Sequence, residues 1–205
     1  MKRRLEFREL KKKDRKELCH LLMEQEGYEE FFEREKDAKI YAKAVAEQAI
    51  GTCAYKAVAA IDNHIVGAVI GCRVKNPGFW GGLKKKFSYL RLKIKKKNRE
   101  VLECLAELEQ MEQALLERNQ VALQNMMVLF LTAKKYNNTE IQKNLLREWE
   151  LYVKRHSLTS SYIVINGNRT HGSLEGYSKI DEKSAMIQPK VQRFRFHKSL
   201  YQKFV

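Results

Sequence analysis

Residues 126–149 constrain the fold of this chain more than any other segment. An apolar run over residues 126–131 is followed by a polar turn at 133–138 and then by an amphipathic stretch. On that stretch apolar residues recur at helical spacing: Ile141, Leu145, Leu146 and Trp149. The pattern predicts a buried strand that leads directly into the N-terminus of a helix. Because the first helical amides have no internal partner and the helix dipole favours negative charge, such a junction is suited to binding an anion.

Further strands and helices are predicted on both sides of this segment. Alternating or β-rich apolar runs predict strands, and apolar residues at helical spacing predict helices. The predicted strands are 5–10, a hairpin within 55–73, 162–165, 178–187 and 191–200 after a turn at 188–190, and the predicted helices are 14–26 and 33–48. Asp14 is expected to cap the first helix. Gly67 and Gly71 in the hairpin indicate a bulge or a close approach of backbone.

Residues 75–120 predict a helical hairpin inserted between the third and fourth strands. Residues 83–98 are basic, with an apolar stripe of Leu83, Phe87, Leu90 and Ile94. Residues 99–117 are more acidic, and their apolar face consists of Val101, Leu105, Leu108, Met111 and Leu115. These faces are expected to pack on the core or across a homodimer interface. The alternative is that Phe79, Trp80 and the basic helix lie on an anionic membrane surface.

Composition limits the class of protein. A chain of 205 residues that is 44% hydrophobic suits one globular domain, taken as residues 1–205. Its four cysteines are scattered and no signal-like apolar segment follows Met1, so a cytoplasmic location is expected. The five histidines lack the spacing of metal ligands, and no metal site is predicted. The formal charge of +15 is not accompanied by a nucleic-acid-binding motif, so nucleic acid is not expected as a partner.

Taken in order, these elements resemble the GNAT superfamily of N-acetyltransferases. In that family a strand of the type LFVVDPEY leads through a loop of the type RGKGIG into a helix that begins KKLL. Here residues 129–136 (LFLTAKKY) stand at the strand and turn, residues 137–142 at the phosphate loop, and Leu145 and Leu146 in the helix. Gly176 and Tyr177 resemble the glycine–aromatic pair later in the family. The resemblance implies an α/β fold of the α+β type, with a mixed, mostly antiparallel central sheet flanked by helices.

The resemblance also implies a binding site for acetyl-CoA as co-substrate. The backbone of Leu131 and Thr132 would hold the acetyl group and the pantetheine. The amides of the loop and of the helix start would hold the pyrophosphate, and they belong to Asn137, Asn138, Thr139, Glu140, Ile141 and Gln142. Asn168 matches an Asn of the family's later motif. Nearby lysines would neutralise the phosphates: Lys134, Lys135 and Lys143.

The loop departs from the family where glycines are usual. Asn138, Glu140 and Gln142 stand at those positions, although glycine lets phosphate oxygens approach the backbone closely. The carboxylate of Glu140 would repel a pyrophosphate. The alternative for this segment is a self-capped helix, in which Thr139 caps the amides and Gln142 reaches back to the Thr139 amide.

The general acid of the family is also changed. Leu174 stands where a tyrosine often protonates the departing thiolate, and leucine has no proton to donate. His171 is a candidate substitute because its pKa lies near neutrality. The alternatives are that His171 is a solvated loop residue and that Tyr177 packs in the core.

Two functions are consistent with the sequence. The first is acetyl-CoA-dependent N-acylation of a primary amine on a small-molecule or peptide acceptor, with Tyr28, Phe31 and Phe32 lining the acceptor pocket or packing in the core. The second is a catalytically degenerate GNAT-fold module that binds a ligand or a partner through its basic helical insertion.

Overall fold

A mixed sheet of seven strands organises the fold in the computed structural model, which describes residues 5–73, 88–136, 140–166, 174–187 and 194–205. The strands are β1 (Leu5–Glu9), β2 (Cys53–Ile61), β3 (His64–Arg73), β4 (Met126–Thr132), β5 (Ser160–Asn166), β6 (Ser178–Ile187) and β7 (Phe194–Phe204). Their order across the sheet is β1-β2-β3-β4-β5-β7-β6. Every neighbouring pair is antiparallel except β4 and β5, which are parallel. The mixed, mostly antiparallel sheet that the family resemblance implies is therefore confirmed.

Helices cover both faces of this sheet. They are α1 (Arg15–Glu26), α2 (Tyr28–Phe31), α3 (Glu35–Thr52), α4 (88–93), α5 (Lys96–Arg118) and α6 (Glu140–Arg155). Side chains of α1, α3 and α5 share one core with Val58 and Ala60 of β2. Side chains of α6 share the core on the opposite face of the sheet with Ala59 of β2. This division follows from the alternation of strand side chains between the two faces.

Residues 126–136 and 140–149 fold as the sequence predicts. β4 is followed by a short 3-10 turn, Lys134–Tyr136, and α6 begins at Glu140. All four residues of the predicted helix face are buried. Glycines of β3 allow α6 to approach closely: a Cβ at Gly67 would lie 2.7 Å from Leu145 Cδ1, and one at Gly71 would lie 2.5 Å from Trp149 Cζ3. The close backbone approach expected at Gly67 and Gly71 is therefore confirmed.

The long helix of the insertion also agrees with its sequence pattern. α5 buries the whole predicted face, which consists of Val101, Leu105, Leu108, Met111 and Leu115. It packs on the face of the sheet that α1 and α3 cover, next to β6 and β7. A helical segment therefore does separate β3 from β4 in the chain.

In the basic half of the insertion, the predicted packing of Leu90 and Ile94 on the core is wrong. Leu90 is 63% exposed and Ile94 is 76% exposed, whereas Leu92 is 1% exposed. The helical residues end at 93, and the Lys95 ammonium lies 2.8 Å from the Asp37 carboxylate of α3. This break turns the chain before α5, so the helix does not continue to residue 98. Leu83 and Phe87 lie outside the described residues, as do Phe79 and Trp80 of the membrane-surface alternative.

The role predicted for Asp14 is also corrected. Asp14 stands just before α1, but its side chain does not cap that helix. Its carboxylate accepts a hydrogen bond from the Lys11 amide at 2.7 Å and pairs with Arg8 Nη1 at 2.6 Å in a buried position. Burial acts to raise the pKa of Asp14, but the hydrogen bonds from Arg8 and Lys11 outweigh it and leave the pKa lowered. Asp14 thus ties the end of β1 to the start of α1.

The C-terminal strands complete the sheet. β6 and β7 pair antiparallel, and Phe196 and Leu200 are buried as predicted. The predicted turn at 188–190 lies outside the described residues. Within the parts of the chain that the structure describes, no helix combines the length and apolar character needed to cross a membrane.

Candidate functional site

β4 and β5 part from each other in the middle of the sheet. Their parallel pairing is limited to Met126 with Tyr162 and Met127 with Ile163. At the same point β4 carries a bulge against β3, because Ile70 pairs with Leu129 while the next residue of β3 pairs with Met127. The extra residue is Val128, and its side chain packs on the α1, α3 and α5 side, as Leu129 does. The gap between residues 128–132 of β4 and 164–166 of β5 is called the β4–β5 cleft below.

Gln25 of α1 occupies the edge of β4 that faces this cleft. Its Nε2 donates a hydrogen bond to the Phe130 carbonyl at 3.0 Å, and its Oε1 accepts one from the Thr132 amide at 2.9 Å. Leu131 lies between them and pairs with Ala68 of β3, so alternation directs its backbone groups away from the cleft. Of the two strand residues predicted to hold the pantetheine, Thr132 faces the cleft and Leu131 faces β3. Any ligand that bonds to the Thr132 amide has to displace the Gln25 side chain.

The residues next to Gln25 also contact the cleft. Glu26 Oε2 accepts a hydrogen bond from Nδ2 of Asn166, at the end of β5, at 2.7 Å. Glu24 Oε1 accepts one from the Lys134 amide, just beyond β4, at 3.4 Å. The last turn of α1 therefore bridges β4 and β5 where they have parted.

The N-terminus of α6 lies at the far end of β4. Glu140 is exposed there, whereas Ile141 is 6% and Gln142 is 3% exposed. Lys143 Nζ lies 4.0 Å from the Glu140 carboxylate and 3.6 Å from that of Glu175. The structure therefore gives Lys143 two nearby carboxylates, which compete with a phosphate for its charge. Asn137, Asn138 and Thr139, the other predicted phosphate-loop residues, lie outside the described residues.

A cavity of about 640 Å³ opens beside the β4–β5 cleft, on the side covered by α1, α3 and α5. Val128 of β4 and Val164 of β5 line it where the strands part. Tyr28 and Phe31 line this cavity and also belong to the core that α1, α3 and α5 share. Phe32 is 2% exposed in the adjoining core and is not part of the lining. We call this space the α5 cavity, because much of its lining comes from α5.

Tyrosines and acidic residues give the α5 cavity its polar character. Tyr41 OH and Tyr89 OH donate hydrogen bonds to Glu109 Oε1 at 3.4 and 3.2 Å. Burial raises the pKa of both tyrosines, so both hydroxyls keep their protons at neutral pH. Glu112 forms an ion pair with the buried Lys198 ammonium at 2.8 Å.

The later motif contributes a packed aromatic residue. The Tyr177 hydroxyl lies 2.6 Å from Ser161 Oγ, which also accepts a hydrogen bond from Trp149 Nε1 at 2.5 Å. Burial raises the pKa of Tyr177, and its ring packs with the α6 core. Leu174 packs against the same core. Asn168 and His171 lie outside the described residues.

Several residues of this site were not singled out by the sequence. Gln25 bonds to residues more than a hundred positions away, and no local pattern indicates such a contact. The acidic residues of α5 carried a signal, because Glu109 and Glu112 are spaced three apart beside the apolar face. Within the described residues, no cluster of three or more His, Cys, Asp or Glu side chains could hold a metal ion.

Comparisons with known proteins identify the fold. No protein-family model matches the sequence, and no curated protein is significantly similar to it. Solved structures are similar over 98% of this chain. A Pyrococcus horikoshii protein is 14% identical with a TM-score of 0.60 and is covered over 99% of its length. The PaiA N-acetyltransferase of Thermoplasma acidophilum, solved in complex with coenzyme A, is 11% identical with a TM-score of 0.56 and the same coverage. An acetyltransferase of the GNAT family from Streptococcus pneumoniae is 12% identical with a TM-score of 0.50, again over 99% of its length. The chain therefore has the fold of the GNAT superfamily of N-acetyltransferases.

Proposed function

We propose that this protein transfers an acetyl group from acetyl-CoA to a primary amine. The observation that carries the proposal is the separation of β4 from β5 immediately after the bulge at Val128. The separation leaves an edge of β4 backbone that pairs with a side chain, Gln25, instead of with β5. The α5 cavity lies on one side of this edge and the N-terminus of α6 lies at its far end. A thioester and an amine could therefore reach the same few residues from two directions.

The residues of the cleft fit acetyl-CoA once Gln25 has moved. The Phe130 carbonyl and the Thr132 amide can bond to the amide groups of pantetheine, because they already bond to an amide of the same kind. The amides at the start of α6 and the exposed Lys134 and Lys135 can hold the diphosphate. Acetyl-CoA supplies an activated acyl group, and coenzyme A is bound in one structure of this fold.

The part played by the protein is mainly positioning. The cleft would hold the acyl carbon next to Val128, and the α5 cavity would present the amine to it. Main-chain amides on the cleft edge of β4 would polarise the carbonyl. Catalysis of this type tolerates the replacement of a tyrosine by Leu174, with some loss of rate, because water can return the proton to the thiolate.

One observation favours a second function. The Gln25 side chain already makes hydrogen bonds to the Phe130 carbonyl and the Thr132 amide, which a ligand in the cleft would otherwise make. Glu140 and Glu175 also surround Lys143. A catalytically degenerate GNAT-fold protein that binds a ligand or partner elsewhere, including through its helical insertion, would show this arrangement as its permanent state.

Ligand-dependent melting separates these functions. If acetyl-CoA binds only the native state, a concentration of 100 Kd stabilises the protein by about 2.7 kcal/mol. For a chain of this size that shift is about 5–11 °C in Tm. Acetylation of amines is then followed by mass spectrometry. No shift with millimolar acetyl-CoA would exclude the enzymatic function, and a shift without any acetylated product would support the degenerate protein.

A further inference from the structure

Lysine and arginine residues are concentrated around α4 and the start of α5. Residues 88–99, called the α4 segment below, contain six of them and no aspartate or glutamate. The formal charge of the segment is therefore +6, within a chain that carries +15. The proposed acetyl transfer uses none of these residues, so their charge needs a separate explanation.

The α4 segment is held on the protein from its inner side. Leu92 is 1% exposed in the core that α1, α3 and α5 share, and the Tyr89 ring packs against the same core. The ion pair of Lys95 with Asp37 of α3, at 2.8 Å, fastens the end of α4. The segment therefore has a defined orientation, with one side turned to solvent.

The outer side of the segment exposes two large aliphatic side chains. Leu90 is 63% exposed and Ile94 is 76% exposed. Ile94 directly follows α4 and lies four positions after Leu90, so about one helical turn separates them. Among the large apolar residues that the structure describes, only Phe204 at the C-terminus is more exposed than Ile94. Neighbouring exposed aliphatic side chains on a fixed element indicate a contact with an apolar partner or phase.

Positive charge flanks this aliphatic pair and is not neutralised by the protein. Arg91, Lys93 and Lys96 are exposed and form no ion pair with any residue that the structure describes. The remaining residues of the chain contain no aspartate or glutamate, so they supply no counter-charge. Lys97, by contrast, pairs with Glu33 at 2.7 Å. Three cations beside two aliphatic side chains are therefore available to an external partner.

A lipid surface that carries negative charge matches both properties. Aliphatic side chains are buried at the boundary between headgroups and acyl chains, while lysine and arginine stay at the phosphates. Nucleic acid would contact the cations but would leave both aliphatic side chains in water. In a symmetric contact with a second copy of the chain, the two positive segments would face and repel each other.

We infer that the α4 segment docks this protein on lipid bilayers that contain anionic phospholipids. Leu90 and Ile94 insert at the headgroup boundary, and Arg91, Lys93 and Lys96 contact lipid phosphates. Two aliphatic side chains and three cations give reversible, salt-dependent binding at the surface of the bilayer. The inference does not depend on acetyl transfer, and its test uses no nucleotide.

Co-sedimentation with vesicles tests the docking directly. The full-length protein is mixed with phosphatidylcholine vesicles that contain either no anionic lipid or about one-third phosphatidylserine. At low salt we expect the protein to sediment with the anionic vesicles and to stay in the supernatant with the neutral ones. Binding should weaken as salt rises, because charged contacts are screened.

Two double variants separate the aliphatic and the charged contributions. Leu90→Gln with Ile94→Gln keeps the net charge and should weaken binding to anionic vesicles at least about tenfold, because the inserted apolar surface is lost. Lys93→Gln with Lys96→Gln should weaken binding about tenfold at low salt and much less at high salt. All four side chains are exposed or lie outside the core, so thermal melting should show each variant folded as the wild type is.

The matched control is Leu151→Gln with Lys154→Gln. Both residues are exposed on α6, which packs on the opposite face of the sheet, so this variant should bind vesicles as the wild type does. An equal loss of binding in the control would show that the α4 segment is not the docking surface.

Three other results would overturn the inference. The first is an absence of binding to anionic vesicles at low salt. The second is unchanged binding of the Leu90 and Ile94 variant, which would reduce the contact to unspecific charge attraction. The third is a different partner: tighter binding of an RNA duplex than of the vesicles would assign the segment to nucleic acid, and a dimer that the Leu90 and Ile94 variant abolishes would assign it to a second copy.

Discussion

Replacing Gln25 by alanine should strengthen acetyl-CoA binding while weakening the fold. The Gln25 side chain makes two hydrogen bonds to β4, at 3.0 and 2.9 Å. Each contributes about 0.5–1.5 kcal/mol net, so together they contribute about 1–3 kcal/mol. A pantetheine chain that takes the same carbonyl and amide must first break both. Removing the competitor should therefore lower the Kd for acetyl-CoA by about 5-fold to 150-fold.

The same change removes both bonds from the unliganded protein. Its free energy of unfolding should fall by up to about 3 kcal/mol, or about 2–12 °C in Tm. Calorimetry gives the Kd, and a thermal melt without ligand gives the stability. Gln110→Ala is the control, because Gln110 is exposed on α5 and takes no part in the cleft. A lower Tm with an unchanged or weaker affinity would show that the ligand does not use this edge of β4.

Three further variants test other parts of the account. Asp14→Asn leaves the buried Arg8 guanidinium without its carboxylate and should lower the free energy of unfolding by about 3 kcal/mol at pH 7. Because the folded-state pKa of Asp14 is lowered, this difference from wild type should be present above the ordinary pKa of 3.8 and disappear as pH falls through the folded-state value. Urea unfolding at pH 7 and pH 3 measures the difference. Gly71→Ala would place a Cβ 2.5 Å from the Trp149 ring and should cost about 3 kcal/mol in the same assay. Glu140→Gln removes an exposed carboxylate from the start of α6 and should lower the Kd for acetyl-CoA about twofold to fivefold at low salt, measured by calorimetry.

Controls make these results specific. Gly51→Ala changes an exposed helical glycine and should be neutral or stabilising, so an equal loss in both glycine variants would remove the steric argument. For Asp14, a stability difference that persists unchanged at pH 3 would contradict the ion-pair account. Glu140 is changed alone because Gln142 is buried and a glycine there would leave a hole in α6. An affinity of Glu140→Gln equal to that of wild type would place the diphosphate elsewhere.

Local periodicity predicted the elements that position the site. β4, its turn and α6 follow from an apolar run next to a helical repeat, and Gly67 and Gly71 signalled the contact between β3 and α6. These features could be predicted because each depends on neighbouring residues or on a single residue type. The same method predicted an unbroken helix through Leu90 and Ile94 with its apolar residues on the core or at a dimer interface, and the unbroken helix and the core packing are wrong. The ion pair between Lys95 and Asp37 joins separate elements and marks a break that periodicity does not show.

The site itself depends on contacts between distant segments. The hydrogen bonds of Gln25 to β4 and the meeting of α1, α5 and β5 around one cavity are set by tertiary packing. A glutamine at the end of a helix has the same local pattern whether it contacts solvent or a strand edge. The charge of the cavity could not be predicted for the same reason, since Glu26 and Glu109 come from separate helices.

A crystal structure of the protein grown with acetyl-CoA tests the central claim most directly. We expect the pantetheine to lie along β4 with its thioester next to Val128, the diphosphate to lie at the N-terminus of α6, and the Gln25 side chain to be displaced from the Thr132 amide. A cleft that still holds Gln25 against Phe130 and Thr132, with the nucleotide absent or bound elsewhere, would contradict it.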